Sequence, residues 1–201
     1  IVSASGGVMI IALLLTMICC IVLGMGVPTT ATYCIMAATC APILMSPEIG
    51  VEMLAAHFFV FYFGIVADIT PPVALAAYAG AAIAKAGPMK TAFNASRLAI
   101  AAFIVPYIIA MNPAMLFINT TIPEVVMITI TSIIGIFGVA AGLSGFVFRN
   151  MKWWERILCI VGGLTLLVPG SLTDLIGLVL VGAVCVLGYQ AAKKEKEVLV
   201  V

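Results

Sequence analysis

Charged side chains are scarce in this sequence: Asp, Glu, Lys and Arg make up 8% of its 201 residues, whereas 65% of the residues are apolar. A soluble domain carries about 25% charged residues. We therefore predict an all-α integral membrane protein, a class that also accommodates the 18 glycines. The formal net charge of +1 leaves no basic surface of the kind that binds nucleic acid.

The side chains from which enzymes build metal and acid–base centres are also few. The sequence has one histidine, His57, and no cluster of His, Cys and carboxylates with the spacing of metal ligands. Its six cysteines form no C-x-x-C pair and lie in apolar runs, so we interpret them as small apolar side chains; metal or disulfide roles are the alternative. We expect neither enzymatic activity nor an organic cofactor.

The sequence begins with Ile1 and lacks both a basic leader region and a cleavage site, so it predicts no signal peptide. An apolar segment starts almost at once. We therefore expect this chain to be the C-terminal part of a longer protein.

The first long apolar run is interrupted by the stretch GMGVPTTATY at residues 24–33. The apolar segments on either side, 7–23 and 30–45, would each be about 25 Å long as helices, short of the ~30 Å hydrocarbon core. No charged or Trp side chain marks a membrane interface at the interruption. We predict that residues 7–45 form a re-entrant helical hairpin whose tip stops inside the membrane; two full crossings are the alternative.

A second interruption, ADITPP at residues 67–72, divides the long apolar segment 53–86 and predicts a broken transmembrane helix. A polar, basic stretch, 85–97, follows it. Further predicted elements complete the chain: a transmembrane helix at 97–120 that Pro106 and Pro113 would kink, additional C-terminal transmembrane helices within 121–192 (apolar runs 122–148, 157–168 and 175–189), and a charged tail at 193–201. The run 157–168 is short, and it could be a short span or half of a hairpin.

The basic residues indicate the orientation. All nine fall into three clusters: Lys85, Lys90 and Arg97; Arg149, Lys152 and Arg156; and Lys193, Lys194 and Lys196. The positive-inside rule places the clusters, and with them the C-terminus, in the cytoplasm. The opposite side carries acidic residues alone: Glu48, Glu52, Glu124 and Asp174. The hairpin would then enter the membrane from outside.

The two interruptions share one design, in which a helix ends, a Thr-containing turn follows and a second helix begins. Helix ends leave carbonyls unbonded, and helix starts leave N–H groups unbonded with partial positive charge. Such a pair can hold an anion on N–H groups and a sodium ion on carbonyls and hydroxyls, as in discontinuous-helix transporters. A plain kink or loop is the alternative. The candidate residues are Gly24, Gly26, Pro28, Thr29 and Thr30 in the first interruption, and Asp68, Thr70, Pro71 and Pro72 in the second.

Within this set, the prolines suit the first turn of a helix, and Thr29, Thr30 and Thr70 could cap helix starts or offer oxygens to a hard cation. Asp68 is an acid inside a long apolar segment, where its insertion costs roughly 2.5–3.5 kcal/mol. We interpret it as a coupling-ion ligand or a cavity-lining acid. The alternative is an acid that caps Thr70 and the following helix.

The segments GMGVPTTATY and AAHFFVFYFGIVADITPPVALAAYAGAAIAKAGPMKTAF resemble the large membrane subunit of tripartite ATP-independent periplasmic (TRAP) transporters. The resemblance extends over about residues 1–120 and is greatest to fused permeases that work with TAXI-type binding proteins. Residues 121–201 look like the extra C-terminal helices of those permeases. The resemblance implies an elevator-type secondary transporter in a bacterial or archaeal cytoplasmic membrane. It would import a small organic anion, delivered by a periplasmic substrate-binding protein, and use a sodium or proton gradient.

The resemblance implies that residues 1–96 form the second repeat of the transport domain. The first repeat and the scaffold helices would lie elsewhere in the same permease. It implies that the tip and the Thr70-Pro71-Pro72 break flank the substrate and form a sodium site, with Gly24, Gly26, Thr29 and Thr70 as candidate ligands. Two alternatives remain. One is another ion-coupled anion symporter with the same plan. The other is a membrane subunit that assembles a partner without transporting.

Overall fold

A computed structural model describes residues 1–118, 120–168 and 170–199. These residues form helices and turns, with an isolated β-bridge between Phe146 and Asn150. The predicted all-α class is therefore confirmed for the described part of the chain. The chain divides into two compact units, Ile1–Ile118 and Asn119–Val201.

Unit 1 contains eight α-helices in its described residues, with 3₁₀ turns at Ala67–Ile69 and Pro113–Leu116. The helices are α1 (Val2–Ser5), α2 (Met9–Leu23), α3 (Thr29–Thr39), α4 (Ala41–Leu44), α5 (Met53–Val66), α6 (Leu75–Ile83), α7 (Pro88–Leu98) and α8 (Ile100–Met111).

The turn between α2 and α3 follows from its glycines and proline. The N–H of Gly24 still bonds to the carbonyl of Cys20, at 2.8 Å, and closes the last turn of α2. Gly26 has φ of 75°, a left-handed conformation that glycine adopts without a steric penalty. Pro28 is extended, with ψ of 140°, and α3 begins at the next residue. The predicted hairpin 7–45 thus corresponds to α2, α3 and α4.

Helix α5 forms the centre of unit 1. Its side chains Phe59 and Phe63 are fully buried. Phe59 lies 5.2 Å from Tyr107 and Phe63 lies 6.2 Å from Phe103, measured between ring centroids. Because the residue numbers rise on α5 as they fall on α8, the two helices pack antiparallel. Both α2 and α3 also pack against α5.

The segments after α5 differ in detail from the sequence prediction. The polar stretch 85–97 is largely helical, as α7, and α7 meets α8 at a 42° bend. The predicted span 97–120 contains the 12-residue α8 and then a 3₁₀ turn. Pro106 lies inside α8, whereas Pro113 starts the 3₁₀ turn. Asn112 is non-helical before it, as expected for a residue that precedes proline.

Unit 2 contains α9 (Ile122–Ser144), α10 (Trp153–Thr165) and α11 (Ser171–Leu199), and α10 packs against both of the others. Glycines permit this close packing. A Cβ on Gly163 would lie 2.6 Å from the carbonyl oxygen of Gly135, and one on Gly177 would lie 2.6 Å from that of Gly162. Small residues at helix contacts are typical of membrane proteins, in which close backbone approach replaces the hydrophobic driving force.

The connection from α9 to α10 satisfies the end of α9. The guanidinium of Arg156 donates from Nε to the carbonyl of Gly142 at 2.9 Å and from Nη2 to that of Leu143 at 3.0 Å. Glu155 is buried and pairs with Arg149 at 2.5 Å. Trp153 and Trp154 are exposed, consistent with the membrane-interface role that their basic neighbours suggest.

By length and composition, two described helical segments could cross a membrane, Ile122–Ser144 and Leu172–Ala191, and the bent α7–α8 pair could form a third span. At 13 residues, α10 is too short to pass this test. The charged tail predicted at 193–201 is not separate from the preceding helix, because α11 continues to Leu199. Its last two residues, Val200 and Val201, lie outside the described residues.

Candidate functional site

The hairpin tip packs against the break in the α5–α6 segment. Gly24, at the end of α2, is buried. A Cβ built on Gly24 would lie 2.9 Å from the Cβ of Ala67 and 3.3 Å from the carbonyl oxygen of Gly64. The end of α2 therefore meets the end of α5 almost backbone to backbone, one residue before Asp68.

Helix α3 contacts the end of α5 through a second glycine. A Cβ on Gly64 would lie 3.2 Å from Cγ2 of Thr32 and 3.4 Å from Sδ of Met36. Thr32 is buried, and its hydroxyl donates to the carbonyl of Val27 at 3.2 Å, which ties the first turn of α3 back to the tip. Both arms of the hairpin therefore hold the end of α5.

The predicted capping role of the threonines is wrong. Pro28 occupies the N-cap of α3 with no side-chain hydrogen bond, and Thr29 and Thr30 are exposed residues of its first turn. The hydroxyl of Thr70 donates backwards to the carbonyl of Val66 at 2.7 Å. It therefore stabilises the end of the preceding helix rather than the start of α6. The hydroxyl donates its hydrogen in this bond, so its oxygen lone pairs remain available to a cation.

The prolines also occupy positions other than the first turn of a helix. Pro28 immediately precedes α3. Pro71 and Pro72 lie in the turn before α6, which begins at Leu75 after Ala74 in a left-handed conformation with φ of 37°. The break is therefore longer than the ADITPP stretch.

Two hydrogen bonds brace the break from neighbouring helices. Ser96 of α7 donates from Oγ to the carbonyl of Ile69 at 3.0 Å. Tyr78 of α6 donates from its hydroxyl to the carbonyl of Pro72 at 2.5 Å. Carbonyls in a helix break would otherwise lack partners in a membrane interior. These bonds hold the backbone around the break in one arrangement.

Asp68 lies in the 3₁₀ turn Ala67–Ile69 and is half-buried. Within the described part of the chain, no hydrogen bond or ion pair engages its carboxylate. It does not cap α6, whose N-cap is Ala74 with no side-chain hydrogen bond. The capping alternative for Asp68 is therefore wrong, and the carboxylate stays available to a cation or a proton.

Both helix starts near the site lack side-chain caps. The first N–H groups of α3, starting at Thr29, and of α6, starting at Leu75, have no partner among the described residues. Such groups carry partial positive charge and favour an anion. Among the described residues, no group of three or more His, Cys, Asp or Glu could hold a metal ion, so a cation here would depend on backbone and hydroxyl oxygens together with the single carboxylate of Asp68.

The structure brings some of the predicted residues together and not others. It places Gly24 directly against the turn that carries Asp68. No hydrogen bond among the described residues joins Thr29 or Thr30 to Thr70. Gly26 has no neighbour within 4 Å of its built Cβ, so its role is to form the turn rather than the contact.

Sequence reasoning missed three residues around the tip: Gly64 of α5, Ala67 of the 3₁₀ turn and Thr32 of α3. A signal for the first two was present, because Gly64 and Ala67 are small and three residues apart. Residues at this spacing lie on one side of a helical segment, here where α5 passes into the 3₁₀ turn. Thr32 had the same hydroxyl as its neighbours, and only its position in the fold distinguishes it.

His57, the single histidine of the sequence, lies beside α3. Its Nδ1 is 3.1 Å from the hydroxyl of Tyr33. The two side chains line a shallow, largely apolar pocket with Leu54, Phe58 and Phe61. The bond therefore connects the returning arm of the hairpin to α5 at some distance from the tip.

Interrupted apolar helices are found in polytopic helical membrane proteins, among them secondary transporters. A comparison with known families identifies the chain more narrowly. Residues 1–125 match the family described as tripartite ATP-independent periplasmic transporter, DctM component. The chain belongs to this family, which is one of transporter permeases rather than enzymes.

A second family match covers residues 125–183 and is described as a domain of unknown function, DUF3394. Comparisons with curated proteins and with solved structures find no match. The family and the apolar helices together make the chain a multi-pass membrane protein. Membership also implies a periplasmic binding protein and other transporter subunits as partners.

Proposed function

We propose that this chain forms the second half of the transport domain of a secondary active permease that imports a small organic carboxylate. The observation that carries the proposal is the contact of Gly24 with Ala67 and Gly64, which joins the hairpin tip to the helix break in a chain of this family. Uncapped starts of α3 and α6 would offer N–H groups to the carboxylate.

The coupling cation would bind where the two breaks meet. Sodium takes oxygen ligands, and the tip and break supply backbone carbonyls, the Thr70 hydroxyl and the Asp68 carboxylate. Gly24, Gly26, Thr29 and Thr70 are the proposed ligand positions. A cation held by both elements would stabilise the seated tip, so that solute and ion would cross together. A proton on Asp68 is the other coupling ion that this chemistry allows.

The hairpin lengths support a re-entrant arrangement. Helices α2 and α3 have 15 and 11 residues, which correspond to about 22 and 16 Å. Both are shorter than the ~30 Å hydrocarbon core. We propose that the tip stops inside the membrane, and that it moves with α5 as part of an elevator-type transport domain.

We further propose that the protein is a fused permease of the TAXI type in the cytoplasmic membrane, with its C-terminus in the cytoplasm. The match to the permease family ends at residue 125, shortly after unit 2 begins at Asn119, which supports an added C-terminal part. The three clusters of basic residues support the orientation.

The test is uptake by proteoliposomes that contain the full-length permease, with its binding protein and a radiolabelled carboxylate. We expect uptake to require the binding protein and either an inward sodium gradient or an inward proton gradient. Uptake without the binding protein would indicate a different anion symporter. No uptake under any gradient, from a correctly inserted protein, would indicate an assembly subunit.

Thr70→Ala and Asp68→Asn should each weaken ion-dependent uptake without preventing membrane insertion, because each removes an oxygen ligand or a charge and little volume. The measurement is the concentration of the coupling ion at half-maximal uptake, which we expect to rise about tenfold, the effect of losing roughly 1.4 kcal/mol of binding energy.

Thr39→Ala is the matched control for Thr70→Ala. The Thr39 hydroxyl also donates to a carbonyl four residues earlier, at 2.7 Å, but it is exposed and far along the hairpin. The Thr39→Ala variant should therefore need the same coupling-ion concentration for half-maximal uptake as the wild type. Wild-type uptake by both site variants at limiting sodium and limiting proton gradient would show that Thr70 and Asp68 do not bind the coupling ion.

A further inference from the structure

Unit 2 contains a groove between the loop that follows α9 and the last turns of the apolar part of α11. Its volume is about 460 Å³, and it is lined by Phe148, Cys185, Val186, Tyr189, Gln190 and Lys193. The α11 residues recur at intervals of four, so they lie along one face of the helix. The ring of Phe148 meets the ring of Tyr189 edge to face, with centroids 5.5 Å apart.

The groove runs along α11 from the apolar part of this helix to the residues just beyond it. The part of α11 that is long and apolar enough to cross a membrane ends at Ala191. Cys185 and Val186 lie within this part, whereas Lys193 lies just beyond it. The distance from Cys185 to Lys193 along the helix is about 12 Å. The apolar lining thus faces acyl chains, and the polar end lies where headgroups are found.

The polar end of the groove is positively charged. The contact between Phe148 and Tyr189 brings the α9–α10 loop to the same end of unit 2 as Lys193. Arg149 of that loop pairs with Glu155, a buried residue in the first turn of α10. Lys152 and Lys193 are exposed. Residues 149–156 include three basic residues and one acidic residue, and residues 193–197 include three basic and two acidic residues. The end of the groove therefore attracts an anion.

We propose that this groove binds one anionic phospholipid, of the chemistry of phosphatidylglycerol. The lipid phosphate would lie at Lys193, with the Gln190 amide as a further donor and Lys152 adding positive charge nearby. One acyl chain would lie along Val186 and Cys185, beside the contacting Phe148 and Tyr189 rings. This assigns a ligand to the unit outside the transport site, and it does not depend on the proposed transport function.

The test is native mass spectrometry of the full-length permease, delipidated in detergent and then titrated with phosphatidylglycerol or phosphatidylcholine of the same acyl chains. We expect one phosphatidylglycerol to bind with clear preference over phosphatidylcholine. Lys193→Gln should weaken phosphatidylglycerol binding roughly fivefold, the effect of one basic side chain near a membrane surface, and leave phosphatidylcholine binding unchanged.

Val186→Trp should fill the groove and weaken the binding of both lipids. Val179→Trp is its control, because Val179 is a similarly exposed residue of α11 that does not line the groove. Thermal stability of each variant shows whether it is folded. Equal binding of the two lipids, or wild-type binding by a folded Val186→Trp variant, would overturn the proposal. So would protection of Cys185 from a membrane-permeant maleimide in the lipid-free protein, since another protein segment would then occupy the groove.

Discussion

Gly24→Ala is expected to remove most gradient-driven uptake by the full-length permease, and Ala67→Gly in the same chain is expected to restore much of it. The added Cβ would lie 2.9 Å from the Cβ of Ala67, closer than two methyl groups approach. Neither methyl can rotate away, because each is fixed to its backbone. The tip must therefore shift from α5, and the seated arrangement becomes less populated.

Crowding of this kind typically costs about 1–3 kcal/mol, so we expect uptake to fall about tenfold or more. The double variant removes the opposing methyl group. It leaves the contacts of the new Cβ with the carbonyl oxygens of Cys20 and Gly64, at 3.1 and 3.3 Å, which small shifts can relieve. We expect its uptake to return to within about threefold of wild type, since coupling between contacting residues is of this order.

The measurement is initial uptake in proteoliposomes, normalised to the amount of inserted protein. Gly80→Ala is the control. A Cβ on Gly80 would have no neighbour within 4 Å, and alanine favours the helix there. Wild-type uptake by Gly24→Ala would mean that transport does not require the seated tip. Equal loss in the single and double variants would mean that Ala67 is not the residue that the tip meets.

The positions of the two interruptions could be predicted from sequence because local chemistry determines them. Gly26 adopts a left-handed conformation, and Pro28 cannot continue the hydrogen bonding of α2. The same holds for the break after α5, where Pro71 and Pro72 follow one another. These effects depend on the residue itself and on its immediate neighbours, so a single sequence contains them.

The partners of each break could not be predicted, because they depend on the fold. Gly24 and Gly26 look equivalent in sequence, yet Gly24 is packed against α5 and Gly26 is open. Thr70 could have capped the following helix, but α6 starts five residues later, and the hydroxyl bonds to the preceding turn instead. The sequence shows which residue types occupy the two interruptions, and tertiary packing determines which of them touch.

The transmembrane lengths show the same division between local and tertiary causes. The length of the apolar run 157–168 does not decide from sequence whether this segment crosses the membrane. In the structure, α10 starts earlier, at Trp153, and its glycines pack against α9 and α11. Close backbone contact between helices depends on which glycines face each other, and periodicity alone does not reveal that.

Gly163→Ala should destabilise unit 2 although alanine is the better helix former. Its Cβ would lie 2.6 Å from the carbonyl oxygen of Gly135 and 2.8 Å from the backbone nitrogen of Val139. Both are backbone atoms of α9, so no side chain can rotate to make room, and α9 and α10 must separate. We expect a loss of about 1–3 kcal/mol in stability.

Gly182→Ala, in the same unit, is expected to have the opposite effect on stability. A Cβ on Gly182 would have no neighbour within 4 Å, so the change should stabilise α11 by up to about 1 kcal/mol through helix propensity. The measurement is the midpoint of thermal unfolding of the purified full-length permease in one detergent. We expect Gly163→Ala to lower the midpoint and Gly182→Ala to leave it equal or raise it. Of these two positions, crowding opposes helix propensity at Gly163 and not at Gly182. A midpoint that rises equally in both variants would therefore mean that α9 and α10 do not pack through Gly163.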